Sequence, residues 1–266
     1  MYGAGPTAPF TPRRSGLPWW GKAGAAGALL VPLLVSCSDR SPAEARAAYD
    51  EGQKALREED HATAIAAFER AADLDPGNTD TLLKLGVARS AAQDGRGAIE
   101  AYRELLRLDP DHPPALNNTA NVYFRQGDHE QAAIYYARAV EARPDYIVAL
   151  YHYGWVLRQL NRPDEAERQF ERCIASPAAN ARDRQTQLDC RFYVGALRYR
   201  AEDYATAASI MEELLGSSPA HPEARYFLGM SYRRLGRMDE ALEQLGLHEQ
   251  LLRATRSRKP ISKQAP

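Results

Sequence analysis

Ala98-Ile99-Glu100-Ala101-Tyr102-Arg103-Glu104-Leu105-Leu106-Arg107-Leu108-Asp109-Pro110 decides the fold, because its pattern returns along the chain. Ile99, Tyr102 and Leu106 fall at helical spacing. Pro110 ends the helix by forcing the residue before it out of the α region. The marks Ala98, Tyr102, Leu105 and Pro110 reappear 34 residues earlier as Ala64, Phe68, Ala71 and Pro76, and 34 later as Ala132, Tyr136, Ala139 and Pro144. A fourth set is Ala166, Phe170, Cys173 and Pro177, with the proline one place early. After a seven-residue insertion come Ala207, Met211, Leu214 and Pro219, then Ala241, Leu245 and His248.

Twelve residues before each leading alanine stands a tiny residue: Gly52, Gly86, Ala120, Gly154, Gly195 and Gly229. Glycine inside a helix costs about 1 kcal/mol relative to alanine, so a shared register of such residues implies close approach. The alanine on the second helix of each pair is the expected partner, letting two helix backbones meet. Turn signals such as Gly127-Asp128 and Gly236-Arg237 divide the pairs. A single hairpin is too thin to bury its own apolar face, so stability must come from stacking.

This register resembles the tetratricopeptide family, with a small residue at repeat position 8, alanine at 20, an aromatic at 24, alanine at 27 and proline at 32. The resemblance implies an all-α tetratricopeptide-repeat (TPR) solenoid, a right-handed superhelix of six helix-turn-helix hairpins. It covers residues 45–254 in repeats 45–78, 79–112, 113–146, 147–180, 188–221 and 222–254. The insertion at residues 178–187 reads either as a longer loop or as an extended helix end.

Residues 1–36 are different. They carry Arg13, Arg14 and Lys22 and no acid, followed by an apolar run from Ala23 to Val35. A membrane-spanning helix needs roughly 20 apolar residues and a signal-peptide core about 7 to 15, so the run reads as an export signal. An uncleaved anchor is the alternative. Leu34-Val35-Ser36-Cys37 resembles the lipobox of bacterial lipoproteins. That resemblance implies lipidation of Cys37 after cleavage, a tether over 37–44, and a chain held to the bacterial cell envelope with its repeats facing the periplasm. Ser38 directly after the cysteine tilts the expectation toward the outer membrane. Two or more acyl chains anchor stably where one does not.

Lys plus Arg number 34 against 35 acidic residues, with 44% hydrophobic and 26% charged residues. No basic stripe marks the repeat body, which argues against nucleic acid as a partner. No phosphate loop, nucleophile elbow or H-E-x-x-H stands in the sequence. His61 and His129 share one turn register, as do His112 and His221, and no pair has metal-ligand spacing on one helix. The expectation is therefore no enzyme, no cofactor and no metal.

The family resemblance implies a scaffold that holds other proteins, with positions 2, 5, 6, 9, 12 and 13 of each first helix facing a concave groove. Those positions give Asn117, Asn118 and Asn121, then Tyr151, His152, Trp155 and Arg158, with Phe192, Tyr193, Tyr199, Tyr226, Arg233 and Arg234 beyond. Amides can bond a peptide backbone without reading its sequence, and aromatics and arginine are common interface anchors. A partner peptide or helix over the first seven of these residues is the expected ligand, and plain packing between hairpins is the alternative. The carboxylate clamp of some family members is not matched, since Asp189 and Tyr193 stand where basic residues are needed. An accessory subunit of an enzyme is a further alternative.

Cys173 and Cys190 fall on helices expected to be neighbours. They are either a disulfide stapling the insertion, which an oxidising compartment permits, or two small buried hydrophobes. Residues 255–266 read as a disordered basic tail. Leu242, Leu245, Leu251 and Leu252 lie on a last repeat with no evident cap, leaving an apolar end open to a partner or a second copy.

Overall fold

The computed structural model describes residues 40–258. The expected signal peptide over 1–36, the lipidation site Cys37 and the end of the basic tail at 259–266 lie outside the described residues. The described part is a run of twelve α-helices with no strand. They are α1 (Arg40–Arg57), α2 (His61–Leu74), α3 (Thr79–Ala91), α4 (Gly95–Leu108), α5 (Pro113–Arg125), α6 (His129–Ala142), α7 (Ile147–Gln159), α8 (Pro163–Ala175), α9 (Ala181–Arg200), α10 (Tyr204–Ser217), α11 (Pro222–Arg234) and α12 (Met238–Arg258). Consecutive helices pack as hairpins and each hairpin packs on the next, which makes an all-α TPR solenoid.

The hairpin turns show why these residues fold locally as they do. Glu59, Gln93, Gly127, Asn161, Glu202 and Gly236 occupy the same register and all have positive φ, between 56° and 81°. Only two of the six are glycine, the residue that tolerates this region best. The next residue caps the second helix. Asp60, Asp94, Asp128 and Asp203 each accept the N–H three residues on, from Thr63, Gly97, Gln131 and Thr206. In the fourth and sixth hairpins arginine replaces that aspartate, and Arg162 and Arg237 instead pair with Glu165 and Glu240. His112 and His221, whose shared register came from the repeat, are N-caps too. Each Nδ1 accepts an N–H, from Ala115 and Ala224, at 3.2 Å.

The core is a ladder of second-helix side chains. Phe68, Tyr102, Tyr136, Phe170 and Met211, all at one register, are essentially fully buried. Here the sequence expectation needs correction. The neighbour facing each glycine is chiefly this large side chain and not the small alanine. A Cβ built on Gly52, Gly86, Gly154 or Gly195 would meet Phe68, Tyr102, Phe170 or Met211 within 3.0 Å. The glycine is a flat seat for a ring; at Gly229, Leu245 takes that place and the carbonyl of Ala241 also approaches at 3.1 Å.

Two boundaries also differ from expectation. The tether expected over 37–44 is helical from Arg40, and the tail expected from 255 is helical to Arg258. The insertion is an extended helix end, since α9 has 20 residues. Asn180 starts it by accepting from the Asp183 N–H at 2.9 Å, while the Asp183 carboxylate accepts from Ala179 N–H and the Asn180 amide at 3.0 Å. That reciprocal bonding is a variant of the capping box, with the residue before the N-cap supplying the backbone N–H. Among the described residues, no helix is long and apolar enough to cross a membrane.

Candidate functional site: an aromatic cleft between α5, α6 and α7

The thirteen-residue first helices α5 and α7 stand at the same register of adjacent repeats, and their side chains meet beside α6. Phe124, Tyr136, Tyr151, His152, Trp155 and Val156 line a cleft of about 200 Å³. Its walls are built from ring contacts. Trp155 stands edge-on to Phe124 at 5.1 Å between centroids, and His152 lies nearly parallel to Tyr136 at 5.8 Å. Tyr151 meets His152 edge-on at 5.2 Å. Edge-on and offset contacts of this kind suit the ring quadrupole.

Of the seven residues singled out from sequence, Tyr151, His152 and Trp155 line this cleft directly. Asn121 joins its rim, because its Oδ1 accepts the hydroxyl hydrogen of Tyr136. Asn117 is 4% exposed and donates through Nδ2 to Asn118 Oδ1 at 3.2 Å. The Oδ1 of Asn117 is buried without a hydrogen-bond partner. Arg158 is set apart from the cleft, its guanidinium over the Tyr193 ring at 4.8 Å. Tyr193 in turn stacks on Phe170 at 5.2 Å. An arginine–aromatic stack therefore continues the site toward α9.

Three lining residues, Phe124, Tyr136 and Val156, escaped the sequence reading as site residues. Phe124 holds position 12 of its repeat, one of the groove positions, but the asparagines of that helix drew attention first. Tyr136 holds the aromatic register of a second helix, where packing alone accounts for it. Its hydroxyl, reaching Asn121, carries it to the rim.

The site is poor in charge. Burial, with the positive field of Arg182, depresses the His152 pKa below its ordinary 6.5, so the ring is neutral at neutral pH. Burial raises the Tyr151 hydroxyl far above 10, helped by Tyr193 and Asp189. Burial also raises Asp189 above the usual carboxylate range. The cleft thus offers apolar ring faces and neutral polar edges. Among the described residues no group of side chains is arranged to hold a metal ion.

Beside the site, Cys173 of α8 and Cys190 of α9 are joined as a disulfide, with Cα atoms 6.5 Å apart and both side chains fully buried. Gln187 on the extended turn of α9 donates through Nε2 to the carbonyls of Cys173, Ile174 and Ser176 at 3.2, 3.1 and 2.6 Å. Those carbonyls belong to the C-terminal end of α8, which has no helical partner for them.

Stacked helix hairpins with ring-on-glycine seats and an open aromatic cleft define a repeat scaffold that works by binding. The chain belongs to the tetratricopeptide-repeat family, whose models match residues 37–79, 83–147 and 195–256, and 123–182. Proteins of this family are protein-interaction scaffolds. The chain is 32% identical to photosystem I assembly protein Ycf3 of Cyanophora paradoxa over 40% of this chain and 72% of that one. It is 26% identical to type IV pilus assembly protein PilF of Pseudomonas aeruginosa over 64% of this chain and 66% of that one. Other curated relatives are longer, and the chain spans 34% of the DnaJ homolog subfamily C member 3 of Gallus gallus. Among solved structures, YrrB, titled a TPR protein with an unusual peptide-binding site, superposes with a TM-score of 0.61 at 21% identity. That match covers 73% of this chain and all of YrrB.

Proposed function

We propose that this chain is a lipid-anchored assembly scaffold of a bacterial envelope, facing the periplasm, that holds a segment of a partner protein in the cleft between α5 and α7. The observation that carries the binding half is the cleft itself. It presents open aromatic faces, with the Asn121 side chain bonded to Tyr136 at its rim. A peptide strand or helix end supplies apolar side chains for the rings and polar backbone groups for the rim. YrrB and the two assembly proteins lend the reading precedent.

The anchoring half rests on Leu34-Val35-Ser36-Cys37 behind a short apolar run. The buried Cys173–Cys190 bond suits an oxidising compartment. Outer-membrane residence rests on Ser38 alone.

One preparation tests both halves. A photoreactive phenylalanine is placed at Arg158, one turn along α7 from Trp155, or at Arg103 on α4, and full-length protein is extracted from irradiated native membranes. The expected result is an uncrosslinked mass of residues 37–266 plus acyl groups, and a discrete adduct from position 158 but not 103. The mass of the unprocessed chain overturns the lipoprotein reading and leaves an adaptor with its anchor intact. Equal adducts from both positions, or none, overturn the cleft as the binding site.

A further inference from the structure

The outer face of α12 is built for a partner that the solenoid itself does not provide. Leu242 holds the register of Ala133 in the third repeat and Ala208 in the fifth. There the following hairpin leaves those alanines 6% and 3% exposed, whereas Leu242 is 69% exposed. Met238, one turn earlier, is 56% exposed. One turn later comes Gly246, and a Cβ added there would meet nothing within 4 Å. The glycines at the helix-pair seats are explained by the ring against them. Gly246 weakens an exposed helix interior with no such neighbour among the described residues.

The two ends of the array are finished differently. At the positions where inner first helices carry Leu85 and Ala88, or Thr119 and Val122, the opening helix α1 presents Glu51 and Lys54 to solvent. A polar outer face is what a terminal repeat needs for solubility. Head-to-tail stacking would press the apolar face of α12 onto those charges.

The charges of α12 indicate what covers it. Asp239, Gly246 and Arg253 are spaced by seven residues and share one helix face with Leu242. The first half of the helix carries Asp239, Glu240 and Glu243 and is net acidic; the second half carries Glu249, Arg253, Arg256 and Arg258 and is net basic, with Arg253 bonded to Glu249 at 2.7 Å in the single chain. Laid antiparallel on a second α12 and crossing at Gly246, Asp239 of each copy stands opposite Arg253 of the other. The acidic half of each helix lies along the basic half of its partner. We propose that this chain forms a two-fold homodimer through α12, with Leu242 and Met238 buried across a crossing that Gly246 permits. Such an interface is isologous and closed, and it leaves the α5–α7 cleft of both copies free.

The test is the molar mass of the full-length chain in mild detergent, by light scattering across a concentration series. The expected protein mass is twice that of one chain as its intact mass is measured in the same preparation. Leu242→Glu weakens the dimer more than about tenfold, since it exchanges a buried side chain for an unpaired charge at two symmetric places. Leu242 is exposed in the single chain, so circular dichroism of that variant is unchanged. Asp239→Arg and Arg253→Asp each weaken the dimer, and the two together restore it. A chain that stays monomeric at about 100 μM overturns the proposal. So does a dimer indifferent to Leu242→Glu, which would point to the N-terminal apolar run, or a double charge swap that fails to restore pairing.

Discussion

Even a methyl group is too large an addition at Gly154. An added Cβ would lie 2.7 Å from the edge of the Phe170 ring, and that ring is fully buried with Tyr193 stacked on it. Gly154→Leu therefore has no pocket to enter and must push α7 off α8. Overpacking typically costs about 1–3 kcal/mol, and a leucine against an immobile ring belongs at the top of that range. The expected outcome is a melting temperature lower by roughly 10 °C. Gly216→Ala is the matched control, since its new Cβ meets nothing within 4 Å. That variant gains up to about 1 kcal/mol of helix propensity. Equal melting curves for wild type and Gly154→Leu would show that the ring moves aside. The need for small residues at this register was legible in the sequence; the identity of what presses on them was not. Period and composition locate a face on a helix, but the angle at which two helices cross decides whether alanine or a ring fills the seat.

The stretch between α8 and α9 is held by three devices acting together. The Cys173–Cys190 bond closes a loop of sequence separation 17, the capping box of Asn180 and Asp183 starts α9, and Gln187 bonds the carbonyls at the end of α8. Loop-closure entropy for a cross-link of this span is about 3 kcal/mol. Loss of the Gln187 bonds adds about 1–2 kcal/mol, because the carbonyls they serve are partly buried. The Cys173→Ser, Cys190→Ser double variant is therefore expected to lose about 3 kcal/mol in urea titration. Reductant should reproduce that loss in the wild type and leave the double variant unchanged. A wild type insensitive to reductant would mean the bond contributes nothing to stability. At this scale the sequence left two readings of the insertion open. Residues such as Arg182, Arg184 and Gln185 favour helix and also suit a solvated loop. The reciprocal Asn180–Asp183 bonds tip the balance, and they follow a proline-bearing end of α8 that points equally to either. The cleft was half legible for a similar reason. Tyr151, His152 and Trp155 sit at register positions that face it, whereas Tyr136 reaches it only because its hydroxyl extends past the core to Asn121.

A solenoid carries its stability as a sum over neighbours, so the largest apolar cluster marks where the array is hardest to open. That cluster runs from Leu116 through Leu150, Leu157 and Phe170 to Val194 and Leu197, across α5 to α9, with the disulfide inside it. Smaller clusters serve the ends, around Tyr49 and Phe68 on one side and Met211, Leu228 and Ala241 on the other. The cleft rests on the large cluster, since Tyr151, Tyr153, Trp155 and Tyr193 pack against it. A binding surface set on the least mobile part of the array is preorganised, which lowers the entropy lost when a partner docks. Native-state hydrogen exchange measures this directly. The slowest amides are expected in α7 and α8, with protection falling toward α1 and α12. Reducing the disulfide should speed exchange in α8 and α9 while leaving α2 and α3 unchanged, because those helices share no contact with the bridge. Uniform protection across the described helices, or uniform acceleration on reduction, would mean the repeats open as one cooperative block. The cleft would then owe its rigidity to the array as a whole and not to its place at the centre.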